Sequence, residues 1–79
     1  MLLLFQIENC SYCAKVRSAL TSLGISYVAI NSTSGSKARE IQLKLGEIDQ
    51  VPFLVDIDHG VTLYESDAIV AYLDQTYAK

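Results

Sequence analysis

The apolar positions of this 79-residue chain fall into two alternating periods, and the switches between them outline the elements. Leu2-Leu3-Leu4-Phe5 is a short continuous apolar run, the pattern of a strand covered on both faces. Asn9-Cys10-Ser11 then offers small polar groups suited to a helix N-terminus. Val16, Ala19, Leu20 and Leu23 follow at i, i+3, i+4 and i+7, which is one helical stripe. Gly24 supplies the stop, because glycine accepts the left-handed conformation after a last turn. Tyr27–Ile30 is aromatic and β-branched and reads as a second strand. Strand, helix and strand within about 30 residues make a βαβ unit with parallel strands and a right-handed crossover. A polar loop over Asn31–Ser36 leads to a second helix, Lys37 to Leu45, with Ala38, Ile41 and Leu45 inward and Gly46 after it. Pro52–Ile57 reads as a strand opened by proline, Asp58-His59-Gly60 as a tight turn, and Val61–Tyr64 as its hairpin partner. The last helix starts at Ser66 and Asp67, with Ser66 capping its free N–H groups and Asp67 complementing its dipole. Ile69, Tyr72, Leu73 and Thr76 form its inner face. The order is βαβ–α–ββα, an α/β fold in one domain spanning 1–79.

Composition narrows the function. Apolar residues make up 51% of the chain and charged residues 19%, which is enough apolar material for a core. The net charge of −3 argues against a nucleic-acid partner, since a phosphate binder needs a basic patch. No apolar run approaches the roughly 20 residues of a membrane helix. Leu2–Phe5 lacks a basic flank, so it does not read as a signal peptide, and a cytoplasmic location is expected. The charge is asymmetric. Residues 1–39 carry +3 and residues 40–79 carry −6, and the positive half holds both cysteines. Such asymmetry is ordinary for a solvated surface, but beside a thiol it also favours the thiolate.

Those cysteines are the strongest chemical signal. Cys10-Ser11-Tyr12-Cys13 places two sulfurs one turn apart at a strand-to-helix junction. Free N–H groups and the helix dipole there stabilise a thiolate on the first of them. That thiolate can attack a disulfide, and the second thiol can displace the product. Lys15 and Arg17 add positive charge at the surface nearby. The alternatives are weaker. A disulfide closing four residues restrains little of the unfolded chain. Zinc needs four ligands, and the chain offers two Cys and one His, with His59 in a distant turn. Two inert buried cysteines fit the junction position poorly.

Val51-Pro52 is the second feature. A strand-start proline with a trans bond is the ordinary reading. A cis bond is the functional one, with the backbone N–H and C=O of Val51 presented to a bound peptide, and the cysteine pair favours it. Glu65-Ser66-Asp67 is the third. Plain capping suffices to explain it, while a helix N-terminus is also a seat for a carboxylate. His59 reads as a turn residue, and Tyr64, Tyr72 and Tyr77 as packing.

Taken together, Cys10–Cys13, Val51-Pro52 and Tyr64-Glu65-Ser66-Asp67-Ala68-Ile69 resemble the glutaredoxins, and also the N-terminal domain of glutathione S-transferases. The likeness spans essentially the whole chain, and the Glu-Ser-x-Ala-Ile run leans toward the transferases. It implies the thioredoxin fold, a mixed four-stranded sheet of order 2-1-3-4 flanked by three helices. It implies Cys10 as nucleophile, Cys13 as resolving thiol and Tyr12 beside bound glutathione. Val51 would pair its backbone with the tripeptide, with Pro52 cis, and Ser66, Asp67 and Glu65 would hold the γ-glutamyl end. The chain departs from the glutaredoxin pattern in three places. Ile7 stands where many members have a cation for a glutathione carboxylate, with Lys44 or Gln50 as substitutes. Ser11 replaces the common proline, and Leu63-Tyr64 replaces a Gly-Gly pair. The helical second domain of a full transferase is absent from these residues.

The expectation is a monomeric glutaredoxin-type thiol–disulfide oxidoreductase serving cell redox homeostasis. Glutathione is its co-substrate, disulfide-bonded or glutathionylated proteins are its substrates, and no metal, nucleic acid or membrane is involved. Two alternatives accompany it. One is a glutathione-ligated iron–sulfur carrier with Cys10 as cluster ligand. The other is a transferase-like glutathione-binding module with little turnover.

Overall fold

The computed structural model describes residues 1–78 and contains seven elements: β1 (Leu2–Gln6), α1 (Ser11–Leu23), β2 (Val28–Asn31), α2 (Lys37–Gly46), β3 (Phe53–Asp56), β4 (Val61–Tyr64) and α3 (Ser66–Tyr77). The strands form one sheet in the order β2-β1-β3-β4. β1 pairs parallel with β2 and antiparallel with β3, and β3 pairs antiparallel with β4. This is the thioredoxin-like fold expected from the sequence.

The period of two along the strands sorts the core into two layers. Leu2 and Leu4 of β1 and Leu54 of β3 face α1 and α3, where Val16, Leu20, Ile69 and Leu73 complete a buried cluster. The other parity, Phe5, Phe53 and Tyr64, forms an aromatic row. Phe5 and Phe53 lie 5.7 Å apart between ring centroids, and Phe53 stacks on Tyr64 at 4.4 Å. α2 covers this row.

α1 ends where expected, with Gly24 left-handed at φ 68° and its N–H bonded to the last-turn carbonyls of Leu20 and Thr21. α2 differs from its sequence reading. Ile41 and Leu45 are exposed, and the buried residues of this helix are Arg39 and Gln42. Its inward stripe is Arg39, Gln42, Leu43 and Gly46, also at helical spacing, because the space beneath holds polar loop groups as well as aromatic rings. Gly46 is the last residue of the helix, and Glu47 takes the left-handed position. Gly46 is needed for proximity: a Cβ there would meet the Tyr64 and Phe53 rings at 2.6–2.7 Å.

A second polar cluster lies at the other end of the sheet from the cysteines. The Asp56 side chain is fully buried at the end of β3. It accepts hydrogen bonds from the hydroxyls of Tyr72 and Tyr77, each 2.6 Å, and faces Nδ1 of His59 at 2.9 Å. Burial pushes its carboxyl up, but these bonds outweigh burial and hold it down at about 2. His59 and the two tyrosines thus anchor the β3–β4 turn and the end of α3.

Asp56 predicts an acid limb in stability. Its folded pKa lies below the ordinary value, so its contribution is complete above about pH 4 and is lost as pH falls toward 2. The shift corresponds to about 2 kcal/mol. Urea titrations between pH 2 and 6 should show that slope in the parent and a flatter profile in Asp56→Asn.

Candidate functional site

The β1–α1 junction is built around a helix without a side-chain cap. Cys10 is the N-cap of α1, in extended backbone at φ −94° and ψ 123°, and its carbonyl accepts from the Ala14 N–H at 3.0 Å. No side chain caps the helix, so the sulfur sits where the free N–H groups converge. Partial burial pushes the Cys10 thiol up. The backbone N–H and thiol of Cys13, the N–H of Tyr12 and the charge of Arg17 act the other way and prevail, so Cys10 lies below the usual thiol range. Cys13 is fully buried; burial first, then the Cys10 sulfur, pushes it up to about 11. The pair therefore favours the thiolate at Cys10 over Cys13, whose thiol stays protonated and donates to it.

Arg17 has a larger role than the surface charge read from the sequence. Its side chain is only 19% exposed and reaches back under the β1–α1 loop. It donates to the Gln6 side chain and to the carbonyls of Ile7 (3.4 Å) and Glu8 (3.0 Å). Lys15, by contrast, is paired with Asp67, joining the starts of α1 and α3.

Beside this junction lies a cleft of about 360 Å³ lined by Tyr12, Gln50, Val51, Pro52, Glu65 and Ser66. The Val51–Pro52 bond is cis. Five of the expected binding residues thus share one cavity. Asp67 does not line it and faces the groove between α1 and α3. Ser66 is the first residue of α3 and forms no cap; the N-cap is Glu65, whose side chain makes no capping bond. Ser66 is 7% exposed and lines the cleft. Glu65 holds the left-handed φ of 73°, a conformation that costs a non-glycine residue about 1–3 kcal/mol. Its carboxylate accepts from the Gln50 amide at 3.0 Å.

The far wall, Gln50–Pro52, is held from below by residues that sequence reasoning missed. The Gln42 amide donates to the Gln50 carbonyl at 2.5 Å, the Tyr64 hydroxyl donates to the Ile48 carbonyl at 2.7 Å, and Arg39 pairs with Asp49 at 2.6 Å. The one signal in the sequence was the spacing of Arg39, Gln42, Leu43 and Gly46. Among the described residues no group of three or more His, Cys, Asp or Glu side chains is placed to hold a metal ion, and no helix is long and apolar enough to cross a membrane.

Arg17 should therefore add to the reactivity of Cys10, both by its charge and by holding the β1–α1 loop. Arg17→Met is expected to slow Cys10 alkylation at pH 7 by roughly three- to tenfold and to move its pH–rate midpoint up. Arg17→Lys, which keeps the charge but not the fork of hydrogen bonds, should fall between. The measurement is iodoacetamide labelling as a function of pH in a Cys13→Ser background.

The family described as "Glutathione S-transferase, N-terminal domain" matches residues 4–79. Glutathione S-transferase Z1 of Arabidopsis thaliana is 32% identical over 70 residues, covering 89% of this chain and 31% of that one. Among solved structures, glutathione transferase E6 of Drosophila melanogaster superposes with a TM-score of 0.87 at 27% identity, over 100% of this chain and 36% of that one. A delta-class glutathione transferase of Nilaparvata lugens gives 0.88 at 27% identity, over 100% and 37%. The chain spans about a third of the length of these relatives. Of the two families that the motifs resemble, these likenesses support the transferase N-terminal domain. With its fold, its cleft and these likenesses in agreement, the chain belongs to the glutathione S-transferase N-terminal domain family.

Proposed function

We propose that this domain binds glutathione in the cleft and exchanges disulfides with it through Cys10. The observation that carries the reading is the placement of a thiol held below its usual range at an uncapped helix N-terminus, two residues from Tyr12 on the cleft wall. The N–H groups of Ser66, Asp67 and Ala68 precede the first intrahelical bond of α3, which runs from Ile69 to Glu65. They suit the α-carboxylate of a γ-glutamyl group, and the Glu65 carboxylate beside them suits its ammonium. The Val51 backbone lies along the same wall for the cysteinyl residue.

The Cys10 thiolate attacks the glutathionyl sulfur of a mixed disulfide. A Cys10–glutathione bond forms, the original bond breaks and the substrate leaves as its thiolate. A second glutathione, as thiolate, attacks the glutathionyl sulfur, yielding oxidised glutathione and regenerating the Cys10 thiolate. In sum one free glutathione thiol is oxidised, the substrate sulfur is released as a thiolate, and the glutathionyl group ends in oxidised glutathione. Cys13 is fully buried, and the external thiol completes the cycle. The transferase relatives favour a second reading, a glutathione-binding module with little turnover of its own, because the chain spans only about a third of their length.

One experiment separates these readings: turnover of a small glutathione mixed disulfide, coupled to NADPH oxidation by glutathione reductase, together with calorimetric titration of glutathione. Exchange is expected in the parent, lost by about 100-fold or more in Cys10→Ser and kept within about threefold in Cys13→Ser. Glutathione binding without exchange in the parent selects the binding module. Absence of binding overturns both.

A further inference from the structure

We propose that Gln6 is a positioning residue for the Cys10 thiolate: its buried amide holds the Arg17 guanidinium without neutralising it, which leaves that charge to the sulfur. The role rests on Cys10 as the reacting thiol of the proposed function, but its test uses no glutathione.

Gln6 ends β1 and shares the parity of Leu2 and Leu4, so its side chain points toward α1. An apolar residue would continue that row; here the row ends in a buried amide. Its orientation is fixed by its partners. The Nε2 protons go to Asn31 Oδ1 at 3.0 Å and Glu8 Oε2 at 3.2 Å. The Gln6 backbone carbonyl accepts from the Ser32 N–H at 2.8 Å, which ties the residue to the end of β2. Oε1 is thereby left facing Arg17, whose Nη1 donates to it at 2.5 Å.

A guanidinium this far from solvent ordinarily takes a carboxylate as its partner, because an unpaired charge is costly to bury. The hydrogen bonds of Arg17 go to neutral oxygens instead: Gln6 Oε1 and the carbonyls of Ile7 and Glu8. Among the described residues the one carboxylate in ion-pair range is that of Glu8, 3.8 Å from Nε. It is 78% exposed, where water and salt weaken its pull. Of the other groups around the junction, Lys15 is paired with Asp67 of α3, β2 contributes the neutral Asn31, and Cys13 is a thiol. The Arg17 charge therefore acts on Cys10, adding to the hydrogen bonds from Cys13 and Tyr12. A carboxylate at position 6 would keep the bond to Arg17 and take its charge; the amide keeps the bond alone.

The test is iodoacetamide labelling of Cys10 against pH in the whole chain carrying Cys13→Ser, with a urea titration of each variant to check folding. Gln6→Glu keeps the shape and the bond to Arg17, so a purely structural role would leave Cys10 unchanged. It is expected to slow labelling at pH 7 by roughly threefold or more and to move the pH–rate midpoint up. Gln6→Met removes the bond without adding charge. It is expected to slow labelling about twofold and to add nothing where Arg17→Met is already present. Glu8→Gln, an exposed substitution, removes the competing carboxylate. It is expected to speed labelling by about 1.5- to twofold at low ionic strength, a gain lost in about 1 M salt. Gln6→Glu labelling at the parent's rate or faster overturns the proposal, as does a Gln6→Met effect that persists in full with Arg17→Met. Glu8→Gln labelling no faster than the parent at low ionic strength also overturns it, and this arm decides where the Gln6 variants fail to fold. A chain that shows these shifts yet exchanges nothing with glutathione keeps the role of Gln6 and loses the proposed function.

Discussion

The buried amide of Gln42 is the interaction on which the cleft depends. Its oxygen accepts the Ser32 hydroxyl at 2.6 Å and its nitrogen donates to the Gln50 carbonyl, so one side chain ties the β2–α2 loop to the α2–β3 loop. Arg39, one turn earlier, reinforces both ends through Ser32 and Asp49. Such a network is worth little when complete and much when broken, because a buried carbonyl or amide left without a partner keeps its full desolvation cost. α2 is therefore held by polar satisfaction as much as by apolar burial. Its outer face is free to carry Ile41 and Leu45, and Gly46 lets it approach Tyr64 and Phe53 closely. The hydroxyl of Tyr64, fixed by that stacking, holds the Ile48 carbonyl. The wall formed by Gln50 and Val51 is the sum of these constraints.

Helix capping is distributed to match. α2 has a Ser36 side chain accepting from the Arg39 N–H. α1 and α3 lack side-chain caps, and their starts lie together, bridged by the Lys15–Asp67 pair. The two helices without a side-chain cap thus start beside the cleft. At α1 the free N–H groups meet a sulfur that belongs to the chain, and at α3 they meet open space. The unfavourable φ of Glu65 belongs to the same arrangement, since this residue turns the chain from β4 into α3 while keeping its carboxylate on the cleft.

Much of the fold was legible in the sequence because its strands and outer helices obey simple periods. The run at Leu2–Phe5, the stripe through Val16 and Leu20, and the stop at Gly24 each have one dominant physical reading. α2 was misread because hydrophobicity was taken as a proxy for burial. Ile41 and Leu45 supplied an apolar phase, while the true phase runs through Arg39 and Gln42, whose partners are backbone atoms that no sequence displays. Ser66 was misread as a cap because Ser is a good cap; that it lies one residue inside the helix depends on the left-handed Glu65. At the site, Cys10, Tyr12, Val51, Pro52, Glu65 and Ser66 were legible as types at fixed spacing. The separation of the two thiols depended on burial of Cys13, and the choice between two families sharing these motifs depended on comparison of whole chains.

A helix N-terminus stabilises one sulfur anion well and two poorly. Here it favours the thiolate form of Cys10, supported by the Cys13 thiol and the Arg17 charge. A glutathione sulfur arriving as a second thiolate meets like charge at close range, which disfavours a resident glutathione anion at that position. The repulsion disappears when the two sulfurs share a bond, because the disulfide is neutral and the departing thiolate leaves with the charge. Under the proposed function, this geometry favours a bond between Cys10 and glutathione over a resident glutathione anion. The chemistry of the domain turns on which sulfur owns the end of α1, and the buried, protonated Cys13 assigns it to Cys10.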